Sequence, residues 1–188
     1  MPIASSHSTT LYTLGRGILY ISAWVGETPP SWPYTDVGNC PRFEVEVTEE
    51  VLDHYSKRTG LREKDKTVIL EAGYNITFDL DEISVYNLKM FLKAQQSGSR
   101  MLYANMALDL EYALRFVSDN PVGPNEIWDF WRVKLSPGGP FSLIADEWST
   151  LTFTGTGLSD VTNHPESKFF TVEFQTTTTT TSTTTTTA

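Results

Sequence analysis

The chain has 188 residues, 39% of them hydrophobic and 12% aromatic, enough to bury one core and unlike the composition of a disordered segment. Its 23 Asp and Glu outnumber its 14 Lys and Arg, for a formal charge of −9; that balance argues against a module that grips nucleic acid by neutralising phosphates, though not against a surface DNA slides past. Cys40 is the only cysteine, so no internal disulfide can form. No apolar window is long enough to span a membrane, and "MPIASSHSTTLYTLGRG" lacks the basic and apolar regions of a secretion signal, so the expectation is a soluble chain with no membrane insertion, made in the cytosol and used without Sec-type export.

In chain order, "GILYISAWV" at 17–25 is rich in β-branched and aromatic residues and reads as a strand ended by the turn-prone "GETPPSWP". "RFEVEV" at 42–47 alternates, with Phe43, Val45 and Val47 on one face and Arg42, Glu44 and Glu46 on the other, as a half-buried strand does. "KTVILEAGYNITFDL" at 66–80 repeats the pattern, placing Val68, Leu70, Ala72, Tyr74, Ile76, Phe78 and Leu80 in one phase; Gly73 within it predicts a bulge or close backbone approach.

Between these strands lies "TEEVLDHYSKRTGLREKDKT" at 48–67, too long and too charged for a hairpin turn. Two readings stand for it: an extended arm, which is favoured, or a short helix capped by Thr48 and running to about Tyr55.

The period then changes. "DEISVYNLKMFLKAQQSG" at 81–98 carries apolar residues at helical spacing, acids first, lysines later and Gly98 as a stop, predicting the chain's one helix. Further strands are expected at roughly 101–117, 126–135, 148–157 and 168–175, separated by "SDNPVGP", "SPGGP" and "SDVTNHPES", whose Gly, Pro, Asn and Asp suit turns between antiparallel strands. The fold class is therefore mainly β: an antiparallel β-sandwich or partial barrel with one flanking α-helix, occupying 1–175. The tract "TTTTTTSTTTTTA" at 176–188 reads as a low-complexity tail.

Catalytic signatures are few. His7, His54 and His164 sit far apart without metal-ligand spacing, and no nucleophile elbow or dinucleotide fingerprint occurs. The carboxylates Asp79, Asp81 and Glu82 lie where a helix N-terminus would use them, and the second cluster, Asp146 and Glu147, adds only a general possibility of acid-base chemistry. The expectation is no enzyme, no cofactor and no metal. The five tryptophans raise a competing reading, a secreted carbohydrate-binding β-sandwich module with a Thr-rich linker. Against it, Trp128 and Trp131 fall on opposite faces of one strand unless a bulge intervenes.

The succession "TLGRGILYIS", "VGNCPRFEVEVTEEVLDHYSKRTGLREKDKTV" and "LDEISVYNLKMFL" resembles the major tail tube proteins of long-tailed, siphovirus-type bacteriophages over about residues 13–95. The matching positions are Gly15, Arg16, Gly17, Gly38, Asn39, Glu50, Leu52, His54, Ser56, Gly60, Leu61 and Arg62. The resemblance implies a virion protein assembled in the host cytoplasm as homo-hexamer rings that stack into a hollow tail tube for DNA ejection. Its implied partners are the tail tip or baseplate, tape measure and tail terminator proteins, with transient, non-sticking passage of DNA. The 48–67 arm would then fasten a neighbouring ring or subunit. Val51, Leu52, Tyr55 and Leu61 would be its apolar anchors, and His54 with Lys57, Arg58, Arg62, Glu63, Lys64, Asp65 and Lys66 its polar part. Six copies would bring a formal charge of about −54 to a ring, and Glu44, Glu46, Glu71 and Asp79 are the candidates for carboxylates that face the lumen and repel phosphates.

Overall fold

The phase of Tyr74, Ile76, Phe78 and Leu80 governs the architecture, because all four side chains are buried and form one wall of the core. They lie on β4 (Glu63–Leu80) of a computed structural model, which describes residues 9–58 and 60–175. The Thr-rich segment 176–188 and His7 lie outside the described residues.

The remaining strands among the described residues are β1 (Gly17–Ala23), β2 (Thr35–Asp36), β3 (Arg42–Ser56), β5 (Gln95–Ser97), β6 (Met101–Tyr103), β7 (Tyr112–Ser118), β8 (Asn125–Pro137), β9 (Leu151–Gly157) and β10 (Phe170–Gln175), with one α-helix, α1 (Val85–Phe91), and a 3-10 turn at Thr9–Leu11. All pairings are antiparallel. Eight strands form one sheet in the order β2-β1-β7-β8-β9-β4-β3, with β10 also on β8, while β5 and β6 make a separate small hairpin. The mainly β, antiparallel, one-helix fold is as the alternation predicts.

The sheet doubles back on itself, so one sheet supplies both walls of the core. The turning point is on β8, which pairs with β10 along Asn125–Phe130 and with β9 along Val133–Pro137. Between Phe130 and Val133 it carries one more residue than the facing β7, a bulge of the kind that bends a strand at a corner. The far ends of the sheet consequently meet: Phe43 of β3 stacks on Phe116 of β7 at 5.4 Å and stands edge-on to Phe130 at 5.9 Å. Inside, Phe78 and Phe153 stack at 4.8 Å, and Phe91 of α1 closes the end of the core against Phe153.

Three expectations need correction. The helix spans seven residues and not the whole of 81–98. Ser84 caps its start through the Asn87 N–H, and Lys93, in left-handed geometry with φ 47°, ends it. There the Ala94 N–H reaches the Lys89 carbonyl at 2.9 Å and the Lys93 N–H reaches Met90 at 3.2 Å, satisfying the last carbonyls in a Schellman arrangement. Gly98 belongs to the β5–β6 turn. The strand expected at 101–117 is broken, because residues 104–111 leave the sheet between β6 and β7. Finally, no bulge occurs at Gly73, which pairs in regular register with Thr48; the irregularities fall at Leu70, opposite the step from Glu50 to Val51, and at Asp65, opposite the step from His54 to Tyr55.

Candidate assembly interface

The segment 48–67 does not interrupt the strands but continues them. β3 and β4 stay paired from Arg42–Asp79 out to Ser56–Glu63, so neither a loop nor the alternative helix forms; the arm is a β-ribbon. Every residue of β4 from Glu63 to Ala72 is exposed, whereas alternate residues from Tyr74 onward are buried. At the usual strand rise the ribbon projects about 30 Å.

Its residues continue the β alternation but lose the cover. Val51 faces Ile69 and Leu52 faces Val68 in register. Directly opposed residues share a face, and successive ones point to opposite faces, so each side of the ribbon carries an apolar pair. Val51, Leu52, Val68 and Ile69 are 48%, 59%, 46% and 57% exposed. A lone two-stranded ribbon is marginal in water, and here polar cross-strand contacts hold it. Lys64 and Asp53 pair at 2.7 Å, the Thr67 hydroxyl donates to Asp53 at 2.8 Å, His54 Nδ1 lies 2.6 Å from Asp65, and the Arg62 guanidinium sits 4.0 Å over the Tyr55 ring. The hydrogen bonds donated by Lys64 and Thr67 hold the Asp53 carboxyl below the usual carboxylate range, and the bond Lys64 donates to Asp53 raises the Lys64 ammonium. At the tip Gly60 adopts φ +90°, its N–H reaching the Lys57 carbonyl at 3.1 Å, and the Arg58 N–H reaches the Ser56 hydroxyl at 3.4 Å. Leu61 is exposed beside them.

The other candidate residues lie nearer the body, on the face of β3 and β4 that turns away from the core. Glu44, Glu46 and Glu71 are exposed there, and Glu71 stands directly opposite Glu50. Asp79 differs from them, because Arg42 holds it at 2.7 Å and 3.2 Å and the Thr152 hydroxyl at 2.7 Å. Burial pushes its carboxyl up, but these bonds outweigh burial and keep it below the ordinary range. Next to this acidic edge, Thr152, Thr154 and Thr156 of β9 face Asp79, Thr77 and Asn75. The result is a sheet face of carboxylates, hydroxyls and amides. The acids were legible in the sequence; the threonine row was not, since only the β4–β9 pairing brings it there.

The glycine motifs build the seam at which the sheet closes. Gly15, Arg16, Gly17, Cys40, Pro41 and Phe43 line one cleft with Phe116. A Cβ on Gly17 would collide with the Phe116 ring and the Val117 carbonyl. Gly38 turns with φ +83°, and beyond it the Asn39 N–H reaches Glu82 at 3.0 Å while its side chain donates to Asp81 at 2.5 Å. Burial pushes the Cys40 thiol up to about 11.

The tryptophans form no single strip. Trp24 is buried, Trp128 stacks on Phe170 at 6.0 Å, and Trp131 is covered by His164 at 3.7 Å. Trp32 packs against Tyr20 and Tyr34, and Trp148 stands alone in an exposed loop.

A family model described as "Protein of unknown function UCP028589" matches residues 12–101, a stretch that contains the glycine motifs of the seam, the whole ribbon and α1. No curated protein matches the chain. Among solved structures, the chain is similar to the tube terminating cap of the anti-feeding prophage, at 12% identity and a TM-score of 0.46, with 93% of this chain and 100% of that chain covered.

Proposed function

We propose that this chain is a structural subunit of a phage-type tail tube. Six copies close a ring, rings stack into a hollow tube, and the β3–β4 ribbon of each subunit grips the adjacent ring. The acidic and hydroxyl-rich face of β3, β4 and β9 lines the conduit, where carboxylates repel phosphates so that DNA passes without adhering. In this reading the tube grows from a tail tip or baseplate, around a tape measure, to a terminator, and ends as part of the virion tail.

One observation carries the proposal: a ribbon about 30 Å long that, among the described residues, takes no part in the core and bears exposed aliphatic pairs on both faces. Such a ribbon is stable and soluble in the long term only if a neighbour covers it. The motif order shared with tail tube proteins supplies the identity of that neighbour, another copy.

The test is to shorten the ribbon. Residues 51–70 are replaced by Asn-Gly, a two-residue hairpin turn joining Glu50 to its register partner Glu71. No buried core residue is removed, so the variant should melt close to the parent. Negative-stain electron microscopy should find long tubes with the parent protein and none with the shortened one. Normal tubes from the shortened chain would refute the gripping role, and a parent protein that stays monomeric when given a baseplate would refute the tube itself.

A further inference from the structure

A subunit that stacks head to tail needs complementary surfaces at opposite ends, since each copy contacts the next through two different patches. β4 connects the two ends. It begins at the ribbon tip with Glu63 and ends at Leu80, whose register partner is Leu151, the first residue of β9. The loop that leads into β9 therefore lies at the opposite pole from the tip, about 55 Å away at the usual strand rise.

That loop is built and not slack. Phe141 anchors it against Phe91 of α1 at 6.1 Å, and the Ser149 hydroxyl closes it by donating to the Ser142 carbonyl at 2.9 Å. What it displays faces water: Leu143 is 85% exposed, Ile144 95% and Trp148 95%, the three most exposed large apolar side chains of the described residues. Asp146 and Glu147 stand among them and form no ion pair among the described residues.

The tip has the converse chemistry. Five of the chain's 14 basic residues, Lys57, Arg58, Arg62, Lys64 and Lys66, fall within ten positions that hold only two acids, Glu63 and Asp65. Lys64 is taken up by Asp53 and Arg62 by the Tyr55 ring. Lys57, Arg58 and Lys66 form no ion pair among the described residues, and Leu61 is exposed beside them. One pole is basic with an aliphatic knob, the other acidic with an aliphatic and indole surface.

We infer that the tip of the β3–β4 ribbon docks on the 143–148 loop of the next copy along the tube axis, Leu61 against Leu143, Ile144 and Trp148, and Lys57 and Arg58 against Asp146 and Glu147. This rests on the tube reading and deepens it by naming the receptor for the arm. An apolar centre within a rim of opposite charges is the usual anatomy of such a contact, and the charges fix which ends meet.

Charge reversal tests it on the full chain. Lys57→Glu with Arg58→Glu, or Asp146→Lys with Glu147→Lys, should each raise the protein concentration needed for tubes by about 10²-fold, the effect of setting like charges across an interface. The chain carrying all four substitutions should recover most of that loss. Zero-length carbodiimide cross-linking of parent tubes should join Lys57 of one copy to Asp146 or Glu147 of another. All four positions being exposed, melting curves should not change. If either reversed pair polymerises like the parent while the shortened ribbon does not, this docking is wrong and the tube reading stands. If the four-fold chain is no better than the two-fold chains, the docking is likewise wrong. If the parent never polymerises, both fall.

Discussion

Replacing Val51, Leu52, Val68 and Ile69 by threonine removes the apolar pairs from both faces of the ribbon while placing at each position a β-branched side chain suited to a strand. Full burial of such a residue is worth about 1.5–3 kcal/mol. Each is about half exposed in the isolated chain, so a covering neighbour stands to gain about 1 kcal/mol per site, or roughly 3–4 kcal/mol over four sites once the retained threonine methyls are allowed for. At 1.4 kcal/mol per decade this is a rise of about 10²–10³-fold in the concentration at which tubes form. Within the monomer the same changes cost little, because none of those side chains packs against the core of the described residues, and the melting temperature should move by no more than about 3 °C. The assay is a sedimentation series over protein concentration with electron microscopy of the pellets, alongside thermal unfolding of the unassembled protein. Assembly within twofold of the parent would refute the argument that these residues are covered in the polymer. A fall of 8 °C or more in the monomer, on the order of 3 kcal/mol for a chain of this size, would show instead that they pack on their own domain.

Phe43→Ala should cost about 3 kcal/mol, the lower end for a large aromatic in a core, since the half-buried ring joins Phe78, Phe116 and Phe130 across the closing seam; unfolding about 6–12 °C earlier would register it, and an unchanged melting point would mean that the seam does not hold the sheet closed. The Asp79 carboxyl is held below its unfolded value by Arg42 and Thr152, so its stabilisation is fully present above about pH 5 and is lost as pH falls below about 4 through the folded value. Asp79→Asn should therefore be less stable than the parent at pH 7, with the gap closing toward pH 3; a gap independent of pH would show the charge to be immaterial. With its thiol pushed to about 11, Cys40 holds only about 10⁻³ of its population as thiolate at pH 8. Alkylation by iodoacetamide should accordingly be far slower than for a free thiol unless the chain is unfolded; labelling at the free-thiol rate would place Cys40 outside the seam.

Much of the site was readable before any coordinates. The alternation of Phe43 and Val45 and of Tyr74 through Leu80 named the inward faces of β3 and β4, though Val47, read on the same face, is exposed, and the long charged stretch between them marked something other than a turn. What its polarity hid was the pairing: the favoured extended arm is extended as read, but Asp53–Lys64, His54–Asp65 and Tyr55–Arg62 are cross-strand contacts that make it a two-stranded β-ribbon. The helix was overextended for a related reason, because Gln95–Ser97 continue a helical pattern in one dimension while the left-handed turn at Lys93 sends them into a hairpin.

By itself the sequence determined the β class, the one helix, the inward phase of β4 beside the core and the net negative charge of the chain, since these depend on residue type and short-range period. Tertiary structure alone decided that Val68 and Ile69 are bare while Tyr74 and Ile76 are buried, that the sheet turns back at the β8 bulge, and that the basic tip and the Leu143–Trp148 loop stand at opposite poles. The reason is physical: periodicity states which side a residue faces, whereas cover on that side comes from strands distant in the chain, and the ribbon extends past the last of them.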